Sequence, residues 1–131
     1  MREKGEAVRK ASILLVEDEG ELRDIVGDIL EESGYDVIPA GSGKQALDYL
    51  TTAIEPPALI LLDLMMPIVN GWECLRTIRS DQTLSSIPVV VVTAVDRDRP
   101  SGADIVLKKP YCVDDLLAVV AHYARVTAVT G

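Results

Sequence analysis

The chain has 131 residues, 48% of them hydrophobic, and carries 21 acidic against 13 basic side chains for a net charge of −8. That length supports one domain with a real core and not two, and the apolar content excludes a disordered chain. The charge argues against direct binding of nucleic acid or an anionic membrane and suits a protein that holds cations or meets basic partners.

No apolar run approaches the roughly 20 residues of a spanning helix and no signal peptide is visible. Cys74 and Cys112 lack metal-like spacing, so reduced cysteines in a cytoplasmic protein are expected. Met1 to Lys10 is charged and aperiodic and reads as a flexible leader (1–10), before a domain over 11–127 and a short tail over 128–131. Ser12 to Val16, SILLV, is an all-apolar strand that ends on Glu17 and Asp18. Leu22, Ile25, Val26, Ile29 and Leu30 follow the spacing of an amphipathic helix, which Ser33-Gly34 stops. Tyr35 to Pro39 is a short strand. Ser42 to Gln45 spells a capping box, S-x-x-Q, and opens a helix through Leu50. The phrase GSGKQ is not a phosphate loop, because Ile38 stands where its first Gly is needed and Gln45 where Ser or Thr should bind Mg²⁺.

After a Glu55-Pro56-Pro57 loop, Leu59 to Leu62 is apolar on both faces and ends on Asp63. Such a strand belongs inside a parallel sheet covered on both sides. Trp72 to Ser80 is a helix with Trp72, Leu75 and Ile78 on one stripe. Pro88 introduces a strand over Val89 to Val92 that ends on Thr93-Ala94. A polar stretch, Val95 to Ser101, leads to a fifth strand over Ala103 to Leu107, followed by Lys108, Lys109 and Pro110. Asp114 to Arg125 closes the chain as a helix, with Asp114 and Asp115 favourable to its dipole and Leu116, Leu117, Val120 and Ala124 facing the core. His122 has no acidic or cysteine neighbours and reads as structural or solvent-facing.

Five strands separated mostly by helices predict a flavodoxin-like, doubly wound parallel α/β sheet in the order 2-1-3-4-5. This order places the ends of strands one and three side by side at the switch point, so Glu17, Asp18 and Asp63 gather in one pocket. Three carboxylates together hold their protons tightly unless a cation intervenes, and a hard divalent ion, Mg²⁺ or Mn²⁺, resolves the repulsion. Thr93 offers a hydroxyl after strand four and Lys109 an ammonium after strand five. A carboxylate, a metal site, a hydroxyl and an ammonium suit a phosphoryl group, with Asp63 as the nucleophile.

In these residues the sequence resembles the receiver domain of two-component response regulators, of the chemotaxis-receiver kind, over about residues 11 to 126. Four motifs carry the resemblance, in order and each at a strand end: LLVEDE, then D-x-x-M-P-x-x-x-G as Asp63, Met66, Pro67 and Gly71, then VVVTA, then Lys109-Pro110. The resemblance implies that Asp63 accepts a phosphoryl group from a histidine kinase or phosphotransfer protein. It implies that Asp18 binds Mg²⁺ directly, Glu17 mainly through water, and the Met65 backbone carbonyl as a further ligand. Thr93 and Lys109 would contact the phosphoryl oxygens, and Lys109 is chosen over Lys108 because the family sets its lysine directly before the proline. The module would be a stand-alone receiver acting on a downstream protein target. It would not be an enzyme beyond catalysing its own phosphorylation and dephosphorylation.

Two departures from the family stand out. Only seven residues, VDRDRPS, separate Ala94 from Gly102, where receivers place a further helix; Pro100 leaves room for a turn at most. Loss of that helix is expected to uncover an apolar face of strands four and five, and a homodimer or an obligate partner through it is expected. Val106 stands where the family commonly carries Tyr or Phe, and a short, stiff valine cannot swing inward as that ring does. The loop from Val95 to Ser101 is therefore expected to report phosphorylation. Met65 and Val95, both apolar, are expected to hinder an attacking water and slow self-dephosphorylation. Two other classes compete: a phosphohydrolase, which would want an aspartate where Met65 stands, and a degenerate receiver that binds a partner without phosphorylation.

Overall fold

The computed structural model describes residues 10–64, 70–94 and 102–124. Along the chain it places β1 (Ser12–Val16), α1 (Gly20–Glu32), β2 (Asp36–Ala40), α2 (Gly43–Thr52), β3 (Leu59–Asp63), α3 (Gly71–Ser80), β4 (Val89–Thr93), β5 (Ile105–Lys108) and α4 (Val113–Tyr123). All strand pairs are parallel and the order is β2-β1-β3-β4-β5, the flavodoxin-like arrangement expected from the sequence.

Alternation within the strands splits the core in two. Leu14, Val16, Ile60, Leu62, Val89 and Val91 face the layer of α2 and α3, where Ala46, Leu50, Leu75 and Ile78 meet them. Ile13, Leu15, Leu59, Leu61, Val90 and Val92 face α1 and α4 through Val26, Leu30, Leu116 and Val120. β3 and β4 are buried along their whole length, which is why they read as continuous apolar runs. Each such side chain contributes about 1.5–3 kcal/mol by leaving water. Cys74 lies in this core, where burial pushes its thiol up to about 11, while Cys112 is exposed. Among the described residues no helix is long and apolar enough to cross a membrane.

Several boundaries move by one or two residues, each for a hydrogen-bonding reason. β2 was expected over Tyr35 to Pro39, but the Tyr35 N–H is spent on the Leu30 carbonyl at the end of α1, so the strand begins at Asp36. At its far end it gains Ala40, whose carbonyl accepts from the Glu17 N–H. Gly34, at φ +99°, makes the left-handed turn between them. The Ser42 hydroxyl caps α2 by accepting from the Gln45 N–H as expected, but the Gln45 side chain reaches back to Gly41 rather than to Ser42. β5 begins at Ile105 instead of Ala103, because Asp104 turns its side chain to the Val89 N–H and to Arg79. α4 runs from Val113 to Tyr123; Arg125 lies outside the described residues.

The described residues hold four helices, none of them between β4 and β5. Residues 95–101, and with them the proposed reporter loop and Val95, lie outside the description. The uncovered apolar face expected on β4 and β5 is not found among the described residues. β4 is buried on both faces, Ile105 and Val106 are half-buried, and the large exposed apolar side chains are Ile25, Ile54 and Val113, all elsewhere. Leu84 and Ile87, after α3, join Leu75 and Ile78 against Val89, Val91 and the half-buried Val106, and the same region is tied together by Arg79, from the last turn of α3. Its guanidinium donates to the carbonyls of Gly102 (2.7 Å), Ser85 (2.8 Å) and Ile87 (2.7 Å) and pairs with Asp104 at 2.8 Å. Gly102, at φ +98°, lets the chain pass against this side chain; a Cβ there would stand 2.9 Å from Arg79 Cγ. α3 thus grips the strand connection directly.

Candidate functional site

The carboxyl ends of β1, β3, β4 and β5 converge. β1 is followed by Glu17 and Asp18, and β3 ends on Asp63, in register with Val92 of β4. Glu17 and Asp63 are buried, at 6% and 5% exposure, and Asp18 is exposed. One carboxylate oxygen from each lies within 4.8 Å of the others. Lys109 follows β5, and its backbone N–H donates to the Thr93 carbonyl at 2.7 Å, which ties it to the end of β4. Its Nζ then stands 3.7 Å from Asp63 Oδ2 and 3.8 Å from Glu17 Oε1. The Lys109–Pro110 peptide is cis. Thr93 is fully buried at the end of β4, and Lys108 is exposed.

A single ammonium does not settle this much negative charge. Burial, and then the charge of Asp63 beside it, push the Glu17 carboxyl from an ordinary 4.5 up to about 7. The Glu19 N–H, 3.2 Å from Glu17 Oε2, and Lys109 pull the other way and are outweighed. Burial, then the charges of Glu17 and Asp63, also raise the Tyr111 phenol. Tyr111 lines a small cavity of about 10 Å³ with Glu17, Asp63 and Val26, and also an outer cleft of about 440 Å³ with Leu22, Ala94, Lys109 and Pro110. The donor set is all oxygen and over-charged, which fits a hard divalent cation.

The acceptor strand is also fixed to the next helix. A Cβ on Gly71 would lie 2.4 Å from Leu64 Cα and 2.5 Å from the Asp63 carbonyl oxygen, so only glycine fits. The Gly71 N–H donates to the Leu64 carbonyl at 3.1 Å. Asn70 caps α3 in a full capping box with Glu73, a reciprocal pair that the pattern N-x-x-E signals in the sequence and that went unread there. Met65, whose carbonyl the family pattern makes a metal ligand, lies outside the described residues. His122 is exposed and meets Tyr123 edge-on at 4.7 Å.

Residues 13–121 match the response regulator receiver domain. The chain belongs to that family. As a receiver it is a module of two-component signalling. Response regulator Rre1 of Synechocystis is 40% identical over 118 residues, which cover 85% of this chain and 50% of that protein. The polar-differentiation response regulator DivK of Brucella ovis is 33% identical over 118 residues, covering 86% of this chain and 94% of that one. The receiver thus spans about half the length of some curated relatives and nearly all of others. Among solved structures, the chemotaxis response regulator CheY4 of Vibrio cholerae superposes with a TM-score of 0.79 at 26% identity, covering 88% of this receiver and 99% of that chain. The receiver domain of sensor histidine kinase PA1611 from Pseudomonas aeruginosa, which has a magnesium ion coordinated in its active site cleft, superposes at 0.81 with 25% identity, covering 88% and 98%.

Proposed function

We propose that this receiver is a phosphorylation switch in which Asp63 is the phosphoacceptor. The observation that carries the reading is the buried Asp63 carboxylate at the end of β3, with Glu17 and Asp18 within 4.8 Å and the Lys109 ammonium 3.7 Å away. Glu17, Asp18 and Asp63 would hold Mg²⁺ or Mn²⁺, with the Met65 carbonyl as the further ligand. Bound there, the ion supplies charge neutralisation for carboxylates and phosphoryl oxygens that must approach one another. An Asp63 Oδ attacks the phosphorus of a phosphohistidine on a kinase or phosphotransfer protein. The O–P bond forms as the N–P bond breaks, and the imidazole nitrogen keeps the bonding pair and takes up a proton. Lys109 holds a phosphoryl oxygen from one side and the Thr93 hydroxyl donates to another.

The added charge at Asp63 alters a surface read by a downstream protein target. The receiver acts on itself alone, in gaining and losing the phosphoryl group, and Met65 and Val95 slow the loss. It works in the cytoplasm, away from nucleic acid and membrane. A homodimer across β4 and β5 would use the half-buried Ile105 and Val106 of the edge strand, since β4 itself is covered.

Acetyl phosphate and Mg²⁺ test the reading by intact mass. One added phosphoryl group, absent from Asp63→Ala and from a chelated sample, is the expected result. Incorporation that survives Asp63→Ala would overturn the assignment. No incorporation from acetyl phosphate or from a phosphohistidine protein would favour a receiver that binds its partner without phosphorylation.

A further inference from the structure

We infer that Arg23 is a positioning residue for the metal-binding turn, holding Glu17 and Asp18 in place through the backbone rather than through their carboxylates. This rests on the reading of Glu17, Asp18 and Asp63 as a divalent-cation site.

Glu17, one residue past β1, still continues the ladder. Its N–H donates to the Ala40 carbonyl at 3.0 Å, and Ala40 ends β2. In a parallel ladder the carbonyl of a residue so placed would next accept from the partner strand two residues on. That residue is Ser42, already the cap of α2, where the chain has turned away. The half-buried Arg23 takes over: its Nη1 donates to the Glu17 carbonyl at 2.9 Å. The same nitrogen lies against the second turn, where a Cβ on Gly41 would stand 3.1 Å from it and 3.6 Å from Arg23 Cζ. The Gly41 N–H is meanwhile fixed at 2.7 Å by the Gln45 side chain. The guanidinium therefore sits between the β1–α1 turn, which carries two of the three carboxylates, and the β2–α2 turn. Arg23 is anchored in the first turn of α1, where its own N–H donates to the Glu19 carbonyl at 2.9 Å.

The consequence is mechanical. Three carboxylates that repel one another push on the turn that carries two of them, and a cation needs that turn held in one geometry before it arrives. A charge-assisted bond to the Glu17 carbonyl does this without using a carboxylate oxygen that the metal would need. Nη1 makes the bond to the carbonyl and, with Cζ, packs against Gly41, so a flat, rigid guanidinium holds both turns where a lysine ammonium on a flexible stem would hold them less firmly.

Calorimetric titration with Mg²⁺ alone tests this on the wild type, Arg23→Lys and Arg23→Gln, with thermal unfolding of each metal-free protein alongside. Positioning predicts that both variants lose affinity for Mg²⁺ about tenfold, although lysine keeps the charge and glutamine removes it. If Arg23 acted only as a nearby positive charge, Arg23→Lys would bind as the wild type does and Arg23→Gln more tightly; that result overturns the inference. Unchanged Mg²⁺ affinity with a lowered melting temperature would reduce Arg23 to a structural residue and overturn it equally. Gly41→Ala approaches the guanidinium from the other side and leaves α1 intact, which covers the case of an Arg23 variant that fails to fold. It is expected to weaken Mg²⁺ binding in the same direction and by less. A wild type that takes up no Mg²⁺ would remove the metal reading itself, whereas a wild type and variants that bind alike would remove only the role of Arg23.

Discussion

Two charged clusters stand at opposite ends of α3, and they are built on opposite principles. Around Arg79, one cation meets one carboxylate and three carbonyls, and the bond lengths fall between 2.7 and 2.8 Å. Around Asp63, three carboxylates gather and, among the described residues, one ammonium stands 3.7 and 3.8 Å from two of them, with Glu17 driven up to about 7. The first cluster is matched and serves the fold. The second is short of positive charge, and a cation or a phosphoryl group with its metal is what would complete it. What separates them is the balance of charge among the described residues: one negative for one positive around Arg79, three for one around Asp63.

The largest expected effect breaks the matched cluster. Arg79→Ala removes four charge-assisted bonds, three of them exposed, and leaves Asp104 on the Val89 N–H; it should destabilise the protein by about 1–3 kcal/mol in urea or thermal unfolding. Mg²⁺ affinity should stay within about twofold, because none of those groups belongs to the acidic site. A large loss of Mg²⁺ binding would show that the two clusters are coupled.

The next effect sharpens the contrast through pH. Because the folded protein holds the Glu17 proton up to about 7 and an unfolded chain releases it near 4.5, the folded state binds more protons between those values. Without metal, stability should therefore be greatest at the acid end of that window and fall as pH rises through it, by on the order of 2 kcal/mol. Glu17→Gln should flatten that slope, and saturating Mg²⁺ should offset the fall. Unfolding curves at a series of pH values in chelator would show it, and stability that rises across the window would mean that Glu17 is not the strained group.

The smallest effect supplies the baseline. Lys44 and Asp48 form an exposed pair at 3.0 Å one turn apart on α2. Lys44→Ala should change stability by less than about 0.5 kcal/mol. A cost comparable to that of Arg79→Ala would show that solvated pairs matter as much here as the gripped one.

These clusters were not equally legible in the sequence. The strands announce themselves as apolar runs ending on Glu17, Asp63 and Thr93, and parallel topology alone brings the first two together. Lys109 follows from its place after β5. Arg79 and Asp104 are 25 residues apart and meet only because α3 ends beside the start of β5, which no local pattern reveals. An uncovered sheet face is not found among the described residues because Leu84 and Ile87, after α3, join Leu75 and Ile78 against Val89, Val91 and Val106, a cover that the residues between β4 and β5 do not reveal. Arg23 escaped for a different reason. It works on a backbone carbonyl, and a backbone carbonyl leaves no trace in residue type. The shifts at β2 and β5 share that origin, since single N–H groups at Tyr35 and Val89 decide where pairing can start.

Gly71 meets the main chain of Asp63 and Leu64 with no room for a side chain between them. The contact is therefore backbone on backbone, and it holds the start of α3 against the end of the acceptor strand at one separation. Neither the acceptor strand nor the first turn of α3 can move without carrying the other or parting from it. A displacement of the acceptor carboxylate along its strand would thus be felt at the start of α3 as well.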